Sequence, residues 1–189
     1  MRNIISFMHI SLDGFVAGPE GEMDWIKADE EIFDHVGHRI SQTDTALYGR
    51  KTYEMMEEYW PDAAAQPNAS RHDTEHSAWY KSAHKLVLSK TIRDAERPET
   101  TFLSDQIGEL LLDIKNKPGS EILLFGSPTA THSLLSLNLI DGYWLFVNPI
   151  LLGTGIRLFP EYGQQTKLDL LSTNQFKNGV VELNYAVQK

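Results

Sequence analysis

The sequence predicts an α/β fold in which a mostly parallel central sheet carries helices on both faces and ends in a C-terminal antiparallel hairpin. Two observations predict it. Short apolar runs alternate with segments of helical periodicity for most of the chain, and strands that alternate with helices form parallel sheets buried on both faces. Over 167–188 the pattern changes to two extended runs on either side of Asn178-Gly179, a dipeptide typical of hairpin turns.

The N-terminal elements are predicted to be a buried strand, a loop and a helix. Residues 3–10 are almost continuously apolar, as expected for a strand buried on both faces. Residues 11–24 hold three glycines and a proline, which predicts a long loop. A helix is predicted over 29–40, because acidic residues begin this segment and apolar residues share one face. These apolar residues are Ile32, Phe33, Val36 and Ile40.

The next strand and helix meet at a glycine. A strand is predicted over 45–48, followed by a turn at Gly49-Arg50 and a helix over 52–59 that Pro61 stops. The segment 62–76 is the most polar of the chain, which predicts an excursion over the surface.

Further βα units complete the predicted sheet. Each pairs an apolar run that is long enough for a strand with an amphipathic segment, and Pro118-Gly119 ends one of these helices. The predicted elements are strand 85–89, helix 105–117, strand 121–125, helix 129–139 and strand 141–148.

Length and composition predict one soluble domain that spans residues 1–189. The chain is 41% hydrophobic and 23% charged, with a net charge of −9. An acidic chain lacks the basic footprint that nucleic acids and anionic membranes require, so we expect neither as a partner. The absence of cysteine excludes disulfides and thiolate nucleophiles. The apolar run 4–10 is too short for a signal peptide or a membrane span, so we expect a cytoplasmic protein.

Two strand-to-helix junctions carry residues suited to binding phosphate. The first is Leu47-Tyr48-Gly49-Arg50-Lys51-Thr52, and the second is Leu124-Phe125-Gly126-Ser127-Pro128-Thr129. In open α/β sheets, ligands bind at the carboxyl ends of strands, where helix N-termini offer N–H groups to anions. One such junction is equally well explained as an ordinary turn. Two on one small sheet favour a ligand with several phosphates.

A series of short motifs then connects the chain to a known family. In order, they are Ser11-Leu12-Asp13-Gly14, Trp25, Gly49-Arg50-Lys51-Thr52, Val87-Leu88-Ser89, Gly126-Ser127 and Pro149-x-x-Leu152-Gly153-x-Gly155-x-x-Leu158-Phe159. With these motifs the chain resembles the dihydrofolate-reductase-like superfamily, whose fold is a three-layer sandwich. Within it, the chain is most similar to the C-terminal reductase domain of the riboflavin-biosynthesis bifunctional deaminase-reductase and to its stand-alone relatives.

The resemblance implies an NADPH-dependent reductase that transfers hydride to a small pterin-like or pyrimidine-like substrate, and it implies a homodimer. The alternative is a non-catalytic nucleotide-binding module of the same fold. The resemblance places Asp13 and Trp25 on the catalytic, substrate side. It assigns the cofactor to Val16, Ala17, Gly49, Arg50, Lys51, Thr52, Leu88, Ser89, Lys90, Gly126, Ser127, Pro128, Thr129 and Ala130.

The chain also departs from the family pattern. Members usually carry two glycines where this chain has Gly126-Ser127, and riboflavin reductases have a lysine in the first strand where this chain has Phe7. A pair of glycines brings the backbone closest to a pyrophosphate at least cost. The substrate, whether phosphoribosylated pyrimidine or another heterocycle, therefore stays open.

The proton source is also open. Asp29, Glu30 and Glu31 all lie near the start of the first predicted helix, where dihydrofolate reductase has its carboxylate. The alternative, that these acids complete a helix N-terminus, is favoured over a catalytic role for any one of them.

Other histidine and aromatic patterns have simpler explanations. His72-Asp73-Thr74-Glu75-His76 spells a zinc-binding pattern, but its polar surroundings favour a surface turn. His35 and His38 are expected on a solvated helix face. The large aromatic side chains are expected in the core or an interface; they are Trp60, Trp79, Tyr80 and Trp144.

Overall fold

The computed structural model of the chain describes residues 1–92, 97, 99–159, 161 and 165–189. In chain order the elements are β1 (Ile4–Ser11), β2 (Phe15–Ala17), α1 (Glu30–Ile40), β3 (Thr45–Gly49), α2 (Arg50–Ala63), α3 (Arg71–Ser82), β4 (His84–Leu88), β5 (Thr100–Leu103), α4 (Ile107–Lys115), β6 (Ile122–Phe125), α5 (Pro128–Ser136), β7 (Gly142–Asn148), β8 (Ile156–Arg157), β9 (Leu168–Gln175) and β10 (Val181–Val187).

The strands confirm the predicted sheet. Its order is β5-β4-β3-β6-β1-β7-β10-β9, and β2 pairs with β8 in a second, two-stranded sheet. The pairs β3–β4, β4–β5 and β1–β7 are parallel, whereas β10 is antiparallel to both β7 and β9. The C-terminal hairpin is thus confirmed as the antiparallel end of a mostly parallel sheet.

The chain divides into two compact units. Unit 1 comprises Met1–Arg2 and Ala28–Leu123, and unit 2 comprises Asn3–Lys27 and Leu124–Lys189. In unit 1, Leu47 and Tyr48 of β3 are fully buried. The apolar face predicted for α1 is buried through Ile32, Val36 and Ile40, because residues three and four apart share one side of a helix.

In unit 2 the core lies along β1, β7 and β10. Trp144 and Phe146 of β7 are fully buried. The indole N–H of Trp144 donates to the Glu182 carboxylate on β10, which satisfies the one polar atom of a buried tryptophan.

The predicted end of α2 and the predicted surface excursion after it are wrong. Pro61 lies in the last turn of α2, and the helix continues to Ala63. The proline removes one helical hydrogen bond, and the burial of Ala63 favours the helical conformation beyond it. The segment predicted as a polar excursion contains the start of α3. The side chains of Ser70 and Asp73 form a reciprocal capping box there, a start signal that composition alone concealed.

Short strands were the other elements missed. The predicted loop over 11–24 contains β2, and β5 and β8 had no prediction. Strands of two to four residues carry too few alternations for periodicity to identify them. α5 begins at Pro128, one residue earlier than predicted, because the fixed φ of proline suits the first helical position.

Candidate active site

The first glycine junction lies in unit 1, where β3 passes into α2. Gly49 is the N-cap of α2, with φ −80° and ψ 160°, and no side chain caps this helix. In the parallel register of β3 and β4, Gly49 lies opposite Leu88. Ser89 and Lys90 follow directly, so unit 1 brings both predicted cofactor segments to the same edge of the sheet.

Side chains at this edge already have partners. The Arg50 guanidinium donates to both carboxylate oxygens of Glu54, at 2.8 and 2.9 Å, across one exposed helical turn. The buried Ser89 Oγ accepts hydrogen bonds from the backbone N–H groups of Thr91 and Ile92, at 3.2 and 2.9 Å. Ser89 therefore shapes the turn after β4. Lys51 and Lys90 are exposed, and Thr52 is half-buried.

The second glycine junction lies in unit 2, where β6 passes into α5. Gly126 and Ser127 both have positive φ, 53° and 56°, and the Gly126 N–H donates to the Phe7 carbonyl at 3.2 Å. Ser127 is the N-cap of α5 yet its side chain makes no cap bond, and Pro128 follows at the start of the helix. The departure from two glycines therefore leaves a serine in a backbone region that favours glycine. Thr129 is exposed at this N-terminus and Ala130 is buried behind it.

The described helices differ in whether a side-chain cap or an acidic residue lies at the N-terminus. Asp29 caps α1 by accepting from the Ile32 N–H at 3.1 Å, and Ser70 with Asp73 caps α3. α4 carries Glu109 in its first turn. Only α2 and α5 have neither a side-chain cap nor an acidic residue in the first turn. Their N-termini therefore present the positive end of the helix dipole without a negative side chain beside it.

The cap at Asp29 bears on the open question of the proton source. Its carboxylate caps α1, and Glu30 and Glu31 fill the first turn of the same helix. The interpretation that these acids complete a helix N-terminus is confirmed for Asp29 by its bond to the backbone.

Asp13 joins two loops of unit 2 through hydrogen bonds. Its carboxylate accepts hydrogen bonds from the N–H groups of Leu152 and Gly153, at 3.1 and 2.8 Å, and from Ser11 Oγ at 2.6 Å. These bonds, the Ser11 hydroxyl first among them, lower the pKa of Asp13 to about 2. The carboxylate is therefore ionised at neutral pH and joins the loop after β1 to the loop after β7.

Val16 and Ala17 lie in β2 and are buried. The partner strand β8 approaches so closely that a Cβ added to Gly155 would lie 2.2 Å from the Ala17 carbonyl oxygen. The nearby indole N–H of Trp25 donates to the Glu22 carbonyl at 3.1 Å, and its ring is half-buried. The Gly-x-Gly of the family motif thus accommodates β2.

His9 and Asn148 belong to the same part of unit 2 and were missed from the sequence. His9 stacks on Phe146, with ring centroids 5.0 Å apart, and burial lowers its pKa to about 4. Asn148 ends β7 opposite Ser11 in the parallel register. Within an apolar run a single histidine does not alter the strand pattern, so periodicity gave no signal for it.

The zinc-like pattern at His72 and His76 lies on α3 and not on a surface turn, which corrects that prediction. The centroid of the His76 ring lies 3.9 Å from that of Trp60 and 5.0 Å from that of Trp79. His72 stacks on Phe33 with ring centroids 4.2 Å apart. Burial lowers the pKa of His76 to about 3. In the ranges that the structure describes, no three His, Asp or Glu side chains are grouped to hold a metal.

The remaining aromatic and histidine predictions are mostly confirmed. Trp79, Tyr80 and Trp144 are buried, and Trp60 is half-buried. His35 and His38 are exposed on α1. Among the described helices, none is long and apolar enough to span a membrane.

The sequence matches a known family and a bacterial relative over nearly its whole length. Residues 2–182 match the family described as the RibD C-terminal domain. The chain is 32% identical over 186 residues to the uncharacterized protein YyaP of Bacillus subtilis (strain 168), which covers 97% of this chain and 94% of that protein.

Solved structures share the fold. A protein of Shewanella sp. PV-4, provisionally assigned to riboflavin biosynthesis, matches with a TM-score of 0.74 and 20% identity over 99% of both chains. The diaminohydroxyphosphoribosylaminopyrimidine deaminase/5-amino-6-(5-phosphoribosylamino)uracil reductase of Thermotoga maritima matches with a TM-score of 0.68 and 15% identity. That match covers 99% of this chain and 57% of the Thermotoga chain. The predicted dihydrofolate-reductase-like α/β fold is thereby confirmed.

Proposed function

The chain belongs to the RibD C-terminal domain family, and from this premise we propose that it is an NADPH-dependent reductase that acts on a small pterin-like or pyrimidine-like heterocycle. We infer further that residues 1–189 act as one functional domain and that the protein is a homodimer.

One observation carries the cofactor assignment. α2 and α5 are the helices that begin at the two glycine junctions, and within the described chain they alone lack both a side-chain cap and a first-turn acid. A negative side chain at either N-terminus would compete with phosphate for the same N–H groups and repel it. Each junction, in its own unit, is thus chemically suited to a phosphate group such as those of a dinucleotide.

The chain's own residues have separable roles in this proposal. In unit 1, the N-terminus of α2 binds phosphate while Arg50, Lys51 and Lys90 supply positive charge. In unit 2, the turn Gly126 to Ala130 would hold phosphate at the N-terminus of α5. The Gly126 N–H already donates to the Phe7 carbonyl and Pro128 has no N–H, so the donors would be the other N–H groups of this turn. Val16 and Ala17 in β2 would lie on the nicotinamide side. When bound, NADPH supplies the hydride.

The substrate side is proposed to lie at the carboxyl ends of β1 and β7 in unit 2. Asp13 holds the loops after these strands together, so it acts as a positioning residue there, and Trp25 supplies a ring at the site. Because Phe7 stands where riboflavin reductases carry a lysine, an uncharged heterocycle suits this side better than a phosphorylated one.

The exposed edge of the sheet supports the homodimer. All residues of β9 are exposed, including Leu170 and Leu171 at 53% and 63%. β9 lies at the end of the sheet order and carries three exposed leucines among polar residues. An exposed edge strand of this kind favours association, and a second copy of the chain would cover its leucines.

Two measurements test the proposed function. NADPH is titrated against the full chain by fluorescence, and NADPH oxidation is followed with a panel of dihydropterins and aminopyrimidines. Binding together with turnover is the expected result. NADPH binding without turnover of any heterocycle would identify the non-catalytic nucleotide-binding module instead, and absence of NADPH binding would overturn both.

A further inference from the structure

We propose that His9 determines substrate specificity by donating one hydrogen bond, from Nε2–H, to an acceptor atom on the edge of a planar heterocycle. This inference rests on the proposed function for the identity of the ligand as a substrate.

The proposed site lies where side chains of β1 are accessible to solvent. Phe7 and His9 are partly exposed, and the other six residues of this strand are buried. Alternate residues of a strand point to the same face, so both rings lie on one face. They lie opposite Trp144 and Phe146 of β7 in the parallel register. Trp144 and Phe146 are fully buried, so Phe7 and His9 supply the accessible part of this face. Their ring centroids lie 6.0 Å apart with the ring planes at 65°, so a planar heterocycle that packs on Phe7 lies beside the His9 ring and not flat on it.

Asn148 fixes which imidazole nitrogen carries the proton. Its Oδ1 accepts the backbone N–H of Lys27 at 2.8 Å, so the amide NH₂ must face the other way. That NH₂ donates to the Phe146 carbonyl at 3.1 Å and faces the Ile10 carbonyl at 3.4 Å and His9 Nδ1 at 3.5 Å. Two donors cannot face each other favourably, so Nδ1 is the acceptor and the proton lies on Nε2.

The imidazole is neutral at physiological pH. Burial lowers the pKa of His9 to about 4, since the charged form would lose its hydration without gaining an anion. His9 therefore acts as a hydrogen-bond donor of fixed polarity and not as a source of protons near pH 7.

Nε2–H is available to a ligand. Within the part of the chain that the structure describes, it has no hydrogen-bond partner, whereas Nδ1 has Asn148. A ligand that packs on Phe7 beside His9 displaces water from this donor, and a desolvated donor left without an acceptor is costly. The site therefore favours rings with a carbonyl oxygen or pyridine-type nitrogen, and it rejects isosteres that lack one.

The tautomer is tested on the free protein. Long-range ¹⁵N–¹H spectra of the full chain at pH 7 should show His9 protonated on Nε2. His132 is an internal reference in the same unit, because its Nε2 lies 2.8 Å from the Leu158 carbonyl and must donate. Asn148→Asp presents an oxygen to Nδ1 and should move the proton there. A proton on Nδ1 of His9 in the wild type overturns the inference.

Ligand selection is tested with two flat probes, 5,6-diaminouracil and benzene-1,2-diamine, of which only the first has ring carbonyls. Wild type should bind the uracil with a shift of the His9 Nε2–H resonance. His9→Phe keeps a ring but removes the donor, and should weaken the uracil about tenfold. His9→Gln restores an N–H and should stay within roughly threefold of wild type. Equal binding of both probes by wild type, unchanged uracil binding by His9→Phe, or no uracil binding by wild type overturns it.

A parallel NADPH titration separates this inference from the proposed function. If NADPH binds and the uracil does not shift His9, the inference fails and the proposed function stands. If the uracil shifts His9 while NADPH does not bind, the proposed reductase fails and the His9 site stands as a heterocycle-binding site.

Discussion

The carboxylate of Asp13 accepts the backbone N–H of Gly153 at 2.8 Å, across 140 residues of sequence. A second N–H, that of Leu152, donates to the other oxygen. Ionised carboxylates accept such bonds better than neutral groups do. The family motifs at 11–14 and 149–159 are thus held together by one charged side chain.

Replacing Asp13 by Asn should destabilise unit 2, because the amide NH₂ would face an N–H that needs an acceptor. The pKa of Asp13 is lowered from 3.8 to about 2 in the folded protein. The carboxylate therefore stabilises the fold fully above pH 4, and this contribution is lost as pH falls from about 4 to 2. Urea unfolding is measured at pH 7 and at pH 2.5. The difference in free energy of unfolding between wild type and Asp13→Asn should be smaller at pH 2.5. Asp113→Asn, on the exposed face of α4, is the control, and a difference of constant size would contradict the prediction.

The fold was predictable from sequence wherever an element is long and periodic. β1, α1 and the hairpin of β9 and β10 were predicted nearly to their ends, since each repeats its pattern several times. α3 was missed because its residues average polar while only one narrow face, with His76 and Trp79, is buried. This face is buried by residues from other helices: Trp60 packs on His76, and Phe33 packs on His72. Local sequence does not reveal such contacts.

The candidate site was predictable in its backbone but not in its side-chain network. Glycine followed by a helix signal predicted the starts of α2 and α5 to within two residues. α2 begins at Arg50 and not at residue 52, and α5 begins at Pro128 and not at residue 129. The bond between Asn148 and His9 joins strands whose pairing is set by the sheet, and no local spacing encodes it.

Ser127→Gly should stabilise the protein by about 0.5–1 kcal/mol. Ser127 has φ 56° and ψ 70°, a region that costs a residue with a Cβ roughly 1–2 kcal/mol, part of which glycine loses again in chain entropy. Chemical denaturation of the two proteins measures the difference. Ser133→Gly, in the middle of the same helix, should destabilise the protein by about 0.5 kcal/mol. The two substitutions should therefore change the free energy of unfolding in opposite directions. A loss of stability in Ser127→Gly would show that contacts of its hydroxyl outweigh the backbone strain.

The protein should sediment at about twice 21.4 kDa. β9 lies at the end of the sheet and exposes Leu170 and Leu171, so Leu171→Lys should shift the protein toward monomer by placing a charge on the proposed interface. Leu137→Lys, which changes an exposed leucine at the end of α5, should leave the mass unchanged. A wild-type monomer at micromolar concentration would exclude the homodimer.

Gly49→Val should abolish NADPH binding while leaving the unfolding temperature nearly unchanged. The φ of −80° and ψ of 160° at Gly49 suit a β-branched residue, so the backbone needs no glycine there. A valine side chain would instead occupy the space through which phosphate reaches the N–H groups of α2. Fluorescence titration and thermal unfolding are compared on the same sample. Normal binding with a much lower unfolding temperature would mean that the glycine serves the turn.

Arg50→Ala should weaken NADPH about tenfold and leave NADH nearly unchanged. The exposed bond between Arg50 and Glu54, one helical turn apart, contributes only about 0.3–0.5 kcal/mol, whereas a charge-assisted bond to the 2′-phosphate contributes roughly 1.5–3 kcal/mol. The guanidinium should therefore turn from Glu54 to the phosphate. Because the site is partly exposed, we expect a binding free energy from this bond near the lower value, which corresponds to about tenfold in affinity.

Lys90→Ala should also weaken NADPH more than NADH, because Lys90 follows the end of β4, where Leu88 lies opposite Gly49. Arg71→Ala is the matched control: Arg71 also begins its helix and pairs with Glu75 one turn later, but Asp73 and the capping box occupy that N-terminus. Its NADPH affinity should equal that of wild type. Equal losses for NADPH and NADH in Arg50→Ala would place the arginine on the shared pyrophosphate, and the proposed choice of NADPH would lose its physical basis.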